Sequence, residues 1–272
     1  MITFPNAKIN IGLHIINRRA DQYHNIETIF LPIKIKDALE LVESKELHFS
    51  SSGLTIPDIP GDPKNNLCLK AYKMILKDFS IPPVHIHLHK HIPIGAGLGG
   101  GSADAAFCIK LLNEKFSLNL NMDQMETYAK QLGSDCAFFI QNQTALATEK
   151  GDQLRPIQLT LENYYLVVVM PRVHISTHDA YKQIMPSPPS YPLEETILLP
   201  IEEWKNYISN SFEVSVFKNY PLIANIKSAL YEANALYASM SGSGASVYGI
   251  FKEETKLPKL EKNNQVFYNV GL

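Results

Sequence analysis

Between Gly95 and Gly101 five of seven residues are glycine, in the order Gly-Ala-Gly-Leu-Gly-Gly-Gly, and Ser102 follows. A backbone this bare reaches positive φ freely and brings its N–H groups to a ligand with no Cβ in between. Ala103, Ala105, Ala106, Ile109 and Leu112 then recur at helical spacing as far as Lys115, which predicts a helix capped by Ser102. A glycine loop that opens a helix aims unpaired N–H groups and the positive dipole end at one place, and a phosphate suits that place best. The alternation Val84, Ile86, Leu88 ahead of the loop predicts a strand.

Other readings of the loop fit less well. Gly95, Gly97 and Gly100 satisfy G-x-G-x-x-G, the dinucleotide fingerprint. That site requires a second parallel strand ending in an acidic residue, and Phe116 to Asn121 is short and holds no Asp or Glu. A Walker loop is absent because no Gly-Lys-Ser/Thr closes the run. A purely structural turn does not need this many glycines, each of which raises the entropy lost on folding.

With 272 residues, 45% of them apolar, the chain can build one large or two ordinary cores. We read two domains, 1–152 and 153–272, divided where a Gly-Asp turn and Pro156 interrupt the pattern between Asp152 and Ile157. Strands and helices mix without a regular βα repeat, which argues for the α+β class. A net charge of −2 gives no general attraction to nucleic acid or an anionic membrane. Cys68, Cys108 and Cys136 are odd in number and widely spaced, so neither a disulfide framework nor a zinc site is expected, and a reducing compartment fits. The first residues lack a signal-peptide pattern, and the apolar run Tyr164 to Met170 is too short to span a bilayer. A cytoplasmic, soluble protein is the expectation.

In chain order the patterns predict strands at Lys8–Asn17, Tyr23–Ile33, Leu39–Val42 and Glu46–Ser50, then a loop over Pro57–Pro63. Asn65 or Asn66 caps a helix whose apolar face carries Leu67, Ala71, Met74 and Ile75. His85, His87 and His89 share one strand face and read as neutral, solvent-facing residues rather than metal ligands. Asn121 and Gln124 form a capping box for a helix over Met122–Leu132 that Gly133 ends. Asp135 reads, on sequence alone, as the cap of a further helix, and Lys8 with Asn10 as ordinary strand residues facing solvent. A buried strand at Tyr165–Met170, a proline-rich surface loop from Pro186 to Pro200, a helix at Leu222–Ala235 and a strand at Ser246–Phe251 complete the reading.

The segment from Pro93 to Ala106 resembles the phosphate loop of the GHMP kinases. Further motifs in the same order support that resemblance: Ala7-Lys8 with Asn10, Tyr23-His24, Leu132-Gly133-Ser134-Asp135, Thr177 with Tyr181, and Met240-Ser241-Gly242-Ser243-Gly244. Gln22 stands where the family has glycine, Ala137 where it has proline, and Ser211 where it has aspartate in an Asn-Asp-x-Glu segment. Together they touch the chain from Pro5 to Phe251 and imply the two-domain GHMP kinase fold with its active site in the interdomain cleft. The three glycines before Ser102 are most similar to the branch that phosphorylates the 2-hydroxyl of a cytidine-diphosphate methylerythritol in the non-mevalonate isoprenoid route. A homoserine- or mevalonate-type kinase is the first alternative, and an inactive nucleotide-binding relative the second.

The resemblance implies that Lys8 and Asp135 are catalytic. It implies that ATP, with Mg²⁺, is held by Asn66, Lys90, Pro93, Gly95, Gly97, Leu98, Gly99, Gly100, Gly101 and Ser102. It places the small-molecule substrate against Asn10, Tyr23, His24, Thr177 and Tyr181, with the two tyrosines on opposite domains and opposite faces of a cytosine. No protein metal cluster is implied.

Overall fold

The computed structural model of the chain describes residues 1–54, 66–182 and 184–271. The predicted loop Pro57–Pro63 and the alternative cap Asn65 lie outside the described residues. Contacts divide the chain into two units. One comprises Met1–Ala7, Ile35–Ile94 and Gly99–Gln143, and the other Lys8–Lys34, Gly95–Leu98 and Thr144–Leu272.

The first unit holds a four-stranded sheet in the order β1-β4-β6-β5, with β1 Ile2–Thr3, β4 Ala38–Glu43, β6 Val84–Lys90 and β5 His48–Gly53. Only β5 and β6 run parallel. The period of two sorts its faces. Leu39, Leu41, Val84, Ile86 and Leu88 are buried, whereas Glu40, Val42 and His89 point outward. The outward histidines are joined to the neighbouring strand, because Ser50 Oγ lies 2.7 Å from both His85 Nε2 and His87 Nδ1, and Ser52 Oγ lies 3.0 Å from His87 Nε2. Among the described residues the unit also holds the α-helices α1 Leu67–Asp78, α2 Gly100–Lys115, α3 Met122–Leu132 and α4 Phe138–Gln141. Asn66 caps α1 through its side chain, and the Asn121–Gln124 box caps α3, which ends at Gly133.

The second unit contains two four-stranded sheets. The strand order of the first is β2-β3-β7-β8, from β2 Asn6–Arg18, β3 His24–Lys36, β7 Ala145–Thr148 and β8 Gln153–Pro156. The other is antiparallel in the order β10-β11-β9-β12, from β9 Tyr165–Pro171, β10 Tyr237–Met240, β11 Val247–Phe251 and β12 Asn264–Phe267. Helices α5 Thr177–Lys182, α6 Leu193–Thr196, α7 Ile201–Tyr207, α8 Phe212–Asn219, α9 Pro221–Glu232 and α10 Pro258–Glu261 belong to the same unit. The core draws on Val167, Val169, Phe212, Ile223, Leu230 and Val247.

Three expectations change here. The stretch Asp152 to Ile157, the expected domain boundary, is not a break in the pattern, because Gln153–Pro156 pairs with β7 as a hairpin. The contact division therefore differs from a cut after residue 152: β3 pairs with β7, which joins the early strands to the later chain. The proline-rich tract is not all loop either. Pro192 and Pro200 stand at the N-caps of α6 and α7, where a missing N–H breaks no helical bond, so they start helices instead of preventing them. Leu193 and Trp204 behind them are buried, and Trp204 Nε1 donates to the Leu199 carbonyl at 2.9 Å. Among the described residues no helix is long and apolar enough to cross a membrane.

Candidate active site

Helix α2 begins at Gly100, three residues earlier than the spacing predicts, and Ser102 lies inside its first turn. Its N-cap is Gly99, in the left-handed region at φ +71°, and no side chain caps the helix. The first N–H groups are thus left for another acceptor. The three consecutive glycines differ in purpose. A Cβ on Gly100 would stand 2.8 Å from Ile92 Cγ2, so that glycine serves packing, whereas a Cβ on Gly101 would meet nothing within 4 Å. An uncapped helix start with open space at Gly101 fits a phosphate group.

Asp135 belongs to a 3₁₀ turn, Ser134–Cys136, between Gly133 and α4. The N-cap of α4 is Ala137 and carries no side-chain cap bond, so the helix-cap reading of Asp135 does not hold. The turn packs beside the start of α2: the Cys136 thiol, pushed up to about 12 mainly by burial, is hydrogen-bonded to Ser102. The unit itself thereby brings the Asp135 segment to the glycine-led helix terminus.

Lys8 and Asn10 are buried, not solvent-facing. Lys8 Nζ donates to Asn10 Oδ1 at 2.6 Å and stands 4.7 Å from the centre of the Phe30 ring. Asn10 Nδ2 donates to Thr28 Oγ1 at 3.0 Å, and Thr28 in turn donates to the Gly12 carbonyl. This chain of bonds orients the ammonium from within a sheet. The Lys8 N–H donates to the Leu98 carbonyl at 3.0 Å, which ties the catalytic candidate to the loop. Gly97, at φ +74°, lies so close to Ser241 that a Cβ would stand 2.0 Å from the Ser241 carbonyl oxygen.

Tyr23, His24, Thr177 and Tyr181 all belong to the second unit, which corrects the assignment of the two tyrosines to opposite domains. His24 stacks on Tyr181 with ring centroids 4.8 Å apart, and Phe212 meets Tyr181 edge-on. Burial, and then Arg18, lower the His24 pKa and favour its neutral form. Tyr23 is 62% exposed and presents its ring to Lys150 at 5.2 Å. Gln22 takes the left-handed conformation, φ +69°, that the family's glycine would adopt easily, and Asp21 Oδ1 accepts the Tyr23 N–H to close the turn. Thr177 starts α5, and its Oγ1 lies 3.3 Å from Ser243 Oγ.

Other candidates have structural partners. Asn66 Oδ1 accepts the N–H groups of Cys68 and Leu69 as an N-cap. Gly95, exposed at φ +67°, faces the His174 ring, and Pro93 is buried. Lys90 is buried with its ammonium between Asp37 and Asp104, so its charge is not presented at the surface. Burial acts to lower the Lys90 pKa, but the two carboxylates outweigh it and the pKa is raised.

Sequence reasoning left the Asn210–Glu213 segment without a role. Asn210 Nδ2 donates to the carbonyls of Met240 and Gly242 at 2.8 Å, and Glu213 Oε1 accepts the Met240 N–H at 2.9 Å. Both hold the Met240–Gly244 segment in shape. The signal was the segment's resemblance to Asn-Asp-x-Glu, whose two outer residues are the ones retained.

The model for the GHMP kinases N terminal domain matches residues 66–143, and that for GHMP kinases C terminal matches 198–269. The chain belongs to the GHMP kinases. It is 53% identical over 267 residues to the 4-diphosphocytidyl-2-C-methyl-D-erythritol kinase of Bacteroides fragilis (strain YCH46), covering 96% of each chain. A crystal structure of 4-(cytidine 5'-diphospho)-2C-methyl-D-erythritol kinase superposes with a TM-score of 0.83 at 27% identity over the whole of both chains. A mevalonate kinase shares the fold at a TM-score of 0.71 and 16% identity, covering 100% of this chain and 99% of that one.

Proposed function

We propose that this protein transfers the γ-phosphoryl group of ATP to the 2-hydroxyl of 4-diphosphocytidyl-2-C-methyl-D-erythritol. The observation that carries this reading is the 53% identity, along 96% of the chain, to a kinase of that name. The uncapped start of α2, with open space at Gly101, supports it.

ATP supplies the phosphoryl group, and Mg²⁺ comes with the nucleotide. Magnesium in such sites is held largely by phosphates and one or two side chains, and among the described residues no cluster of three or more His, Cys, Asp or Glu forms a dedicated metal site. The N–H groups from Gly100 to Ser102 hold phosphate oxygens, where side-chain charge is not needed. Asp135 accepts or orients the hydroxyl proton. Lys8, aligned by Asn10 and Thr28, contributes a fixed positive charge. Phosphoryl transfer through a loose transition state asks mainly for such positioning and electrostatics. Tyr23, His24, Thr177 and Tyr181 receive the cytidine end. A cytoplasmic location accords with three buried, unpaired cysteines, and the net charge of −2 with no nucleic-acid or membrane partner.

A coupled assay for ADP release tests the reading. We expect turnover with the cytidine substrate and at most trace turnover with mevalonate or homoserine. Preference for either of those alcohols would replace this reading with another small-alcohol kinase.

A further inference from the structure

The chain on both sides of the glycine loop is tied to one buried ionic cluster. Lys90, the last residue of β6, donates through Nζ to Asp104 Oδ2 at 2.7 Å and to Asp37 Oδ2. Asp37 Oδ1 also accepts the N–H groups of His91 at 2.6 Å and Ile92 at 2.8 Å, which fixes the chain as it leaves the strand. Asp104 lies on α2, one turn beyond the Gly100–Ser102 start, so its bond to Lys90 fixes the helix. Between these points a Cβ on Gly100 would stand 3.4 Å from Lys90 Nζ. All three charged residues are buried.

Two carboxyl groups face one ammonium, so the fully ionised cluster carries a net negative charge behind a helix terminus suited to an anion. Asp104 Oδ1 is enclosed without a hydrogen-bond partner. We propose that Lys90, Asp37 and Asp104 are positioning residues for the nucleotide: they lock the chain on either side of the loop, and they do so best as a cluster with no net charge. This inference rests on the kinase reading above. The neutral cluster is the one in which Asp104 keeps a proton, which burial favours despite Lys90 beside it. The Asp37 carboxylate can accept the hydrogen bond of that proton. Among the described residues the Cys68 thiol on α1, held well up by its hydrogen bond to Cys108 and by burial, also lies near Asp104 and Lys90. As pH rises, loss of the Asp104 proton leaves a buried negative charge beside the phosphate site.

The test is calorimetric titration of ATP and Mg²⁺ into the intact protein between pH 7 and pH 9.5. In the wild type we expect the Kd for ATP to rise about 10-fold across that range, from repulsion between the new charge and the phosphates. Asp104→Asn, which cannot ionise, should lose most of the pH dependence that the wild type shows. A flat wild-type profile would overturn the inference even if the variant failed to fold, and so would an unchanged slope in a folded Asp104→Asn. Failure of the wild type to bind ATP at any pH would overturn the kinase reading and this inference with it.

Discussion

Ser241 Oγ donates to the Gly97 carbonyl at 2.8 Å, joining two glycine motifs that lie 144 positions apart in the chain. The same hydroxyl accepts the Asn10 N–H at 3.2 Å, so one serine links the loop, the Met240–Gly244 segment and the strand that carries Lys8. Contact this close leaves no room for a side chain on Gly97.

The glycines of the loop should therefore respond differently to substitution. Gly101→Val adds bulk only where the structure is open, so the variant should fold, with Tm within a few degrees of wild type, and bind ATP at least about 10-fold more weakly. Gly97→Ala drives a Cβ into the Ser241 backbone at a residue already at positive φ, and should lower both Tm and ATP affinity. Calorimetry with thermal melts separates the two. Unchanged ATP affinity in folded Gly101→Val would remove the helix start from the nucleotide site.

Asp135→Asn keeps the size of the side chain and removes its capacity to take a proton. We expect kcat to fall about 10²-fold or more with little change in KM for either substrate. A thermal melt of the variant checks that it stays folded. Near wild-type turnover would leave Asp135 without a catalytic function.

The cytidine-binding residues are best tested at Tyr23. Tyr181 stacks on His24, abuts Phe212 and packs against the core, so Tyr181→Ala would alter folding together with binding. Tyr23 is exposed, and Tyr23→Ala should raise KM for the cytidine substrate roughly 10-fold, the equivalent of one lost base stack of ~1–3 kcal/mol, with KM for ATP unchanged. Equal losses for both substrates would point to damage elsewhere.

Asn210→Ala should destabilise the protein by about 1–3 kcal/mol, because the buried carbonyls of Met240 and Gly242 lose their shared donor. Denaturant unfolding measures this directly. Asn210→Asp, which keeps the acceptor for the Phe212 N–H and removes the donor, should be no better than alanine.

Much of the local structure was legible in the residues. The Asn121–Gln124 box, the Asn66 cap, the stop at Gly133 and the alternation of β6 depend on neighbours a few positions away, and each stands where the pattern put it. The motif order from Lys8 to Gly244 identified the family, because a set of spaced motifs constrains far more than one loop does. Even so, Ser102 proved to lie within the first turn, since Gly99, in the left-handed region, is the N-cap. A glycine run marks where such a turn occurs without saying which member makes it.

Partners distant in sequence could be assigned only from the tertiary structure. Strands Lys8 to Lys34 join the later chain because β3 pairs with β7, and strand pairing is chosen among many equally apolar segments. Lys90 has the pattern of a surface cation beside a phosphate loop, yet the fold encloses it between carboxylates 53 positions before it and 14 after it. Burying a charge is tolerable only when opposite charges arrive with good geometry, and that geometry is set by packing. What the sequence determined was the chemistry available and the local turns that display it. Which groups are buried together, and hence which ones keep their charge, was decided by the assembly of sheets and helices.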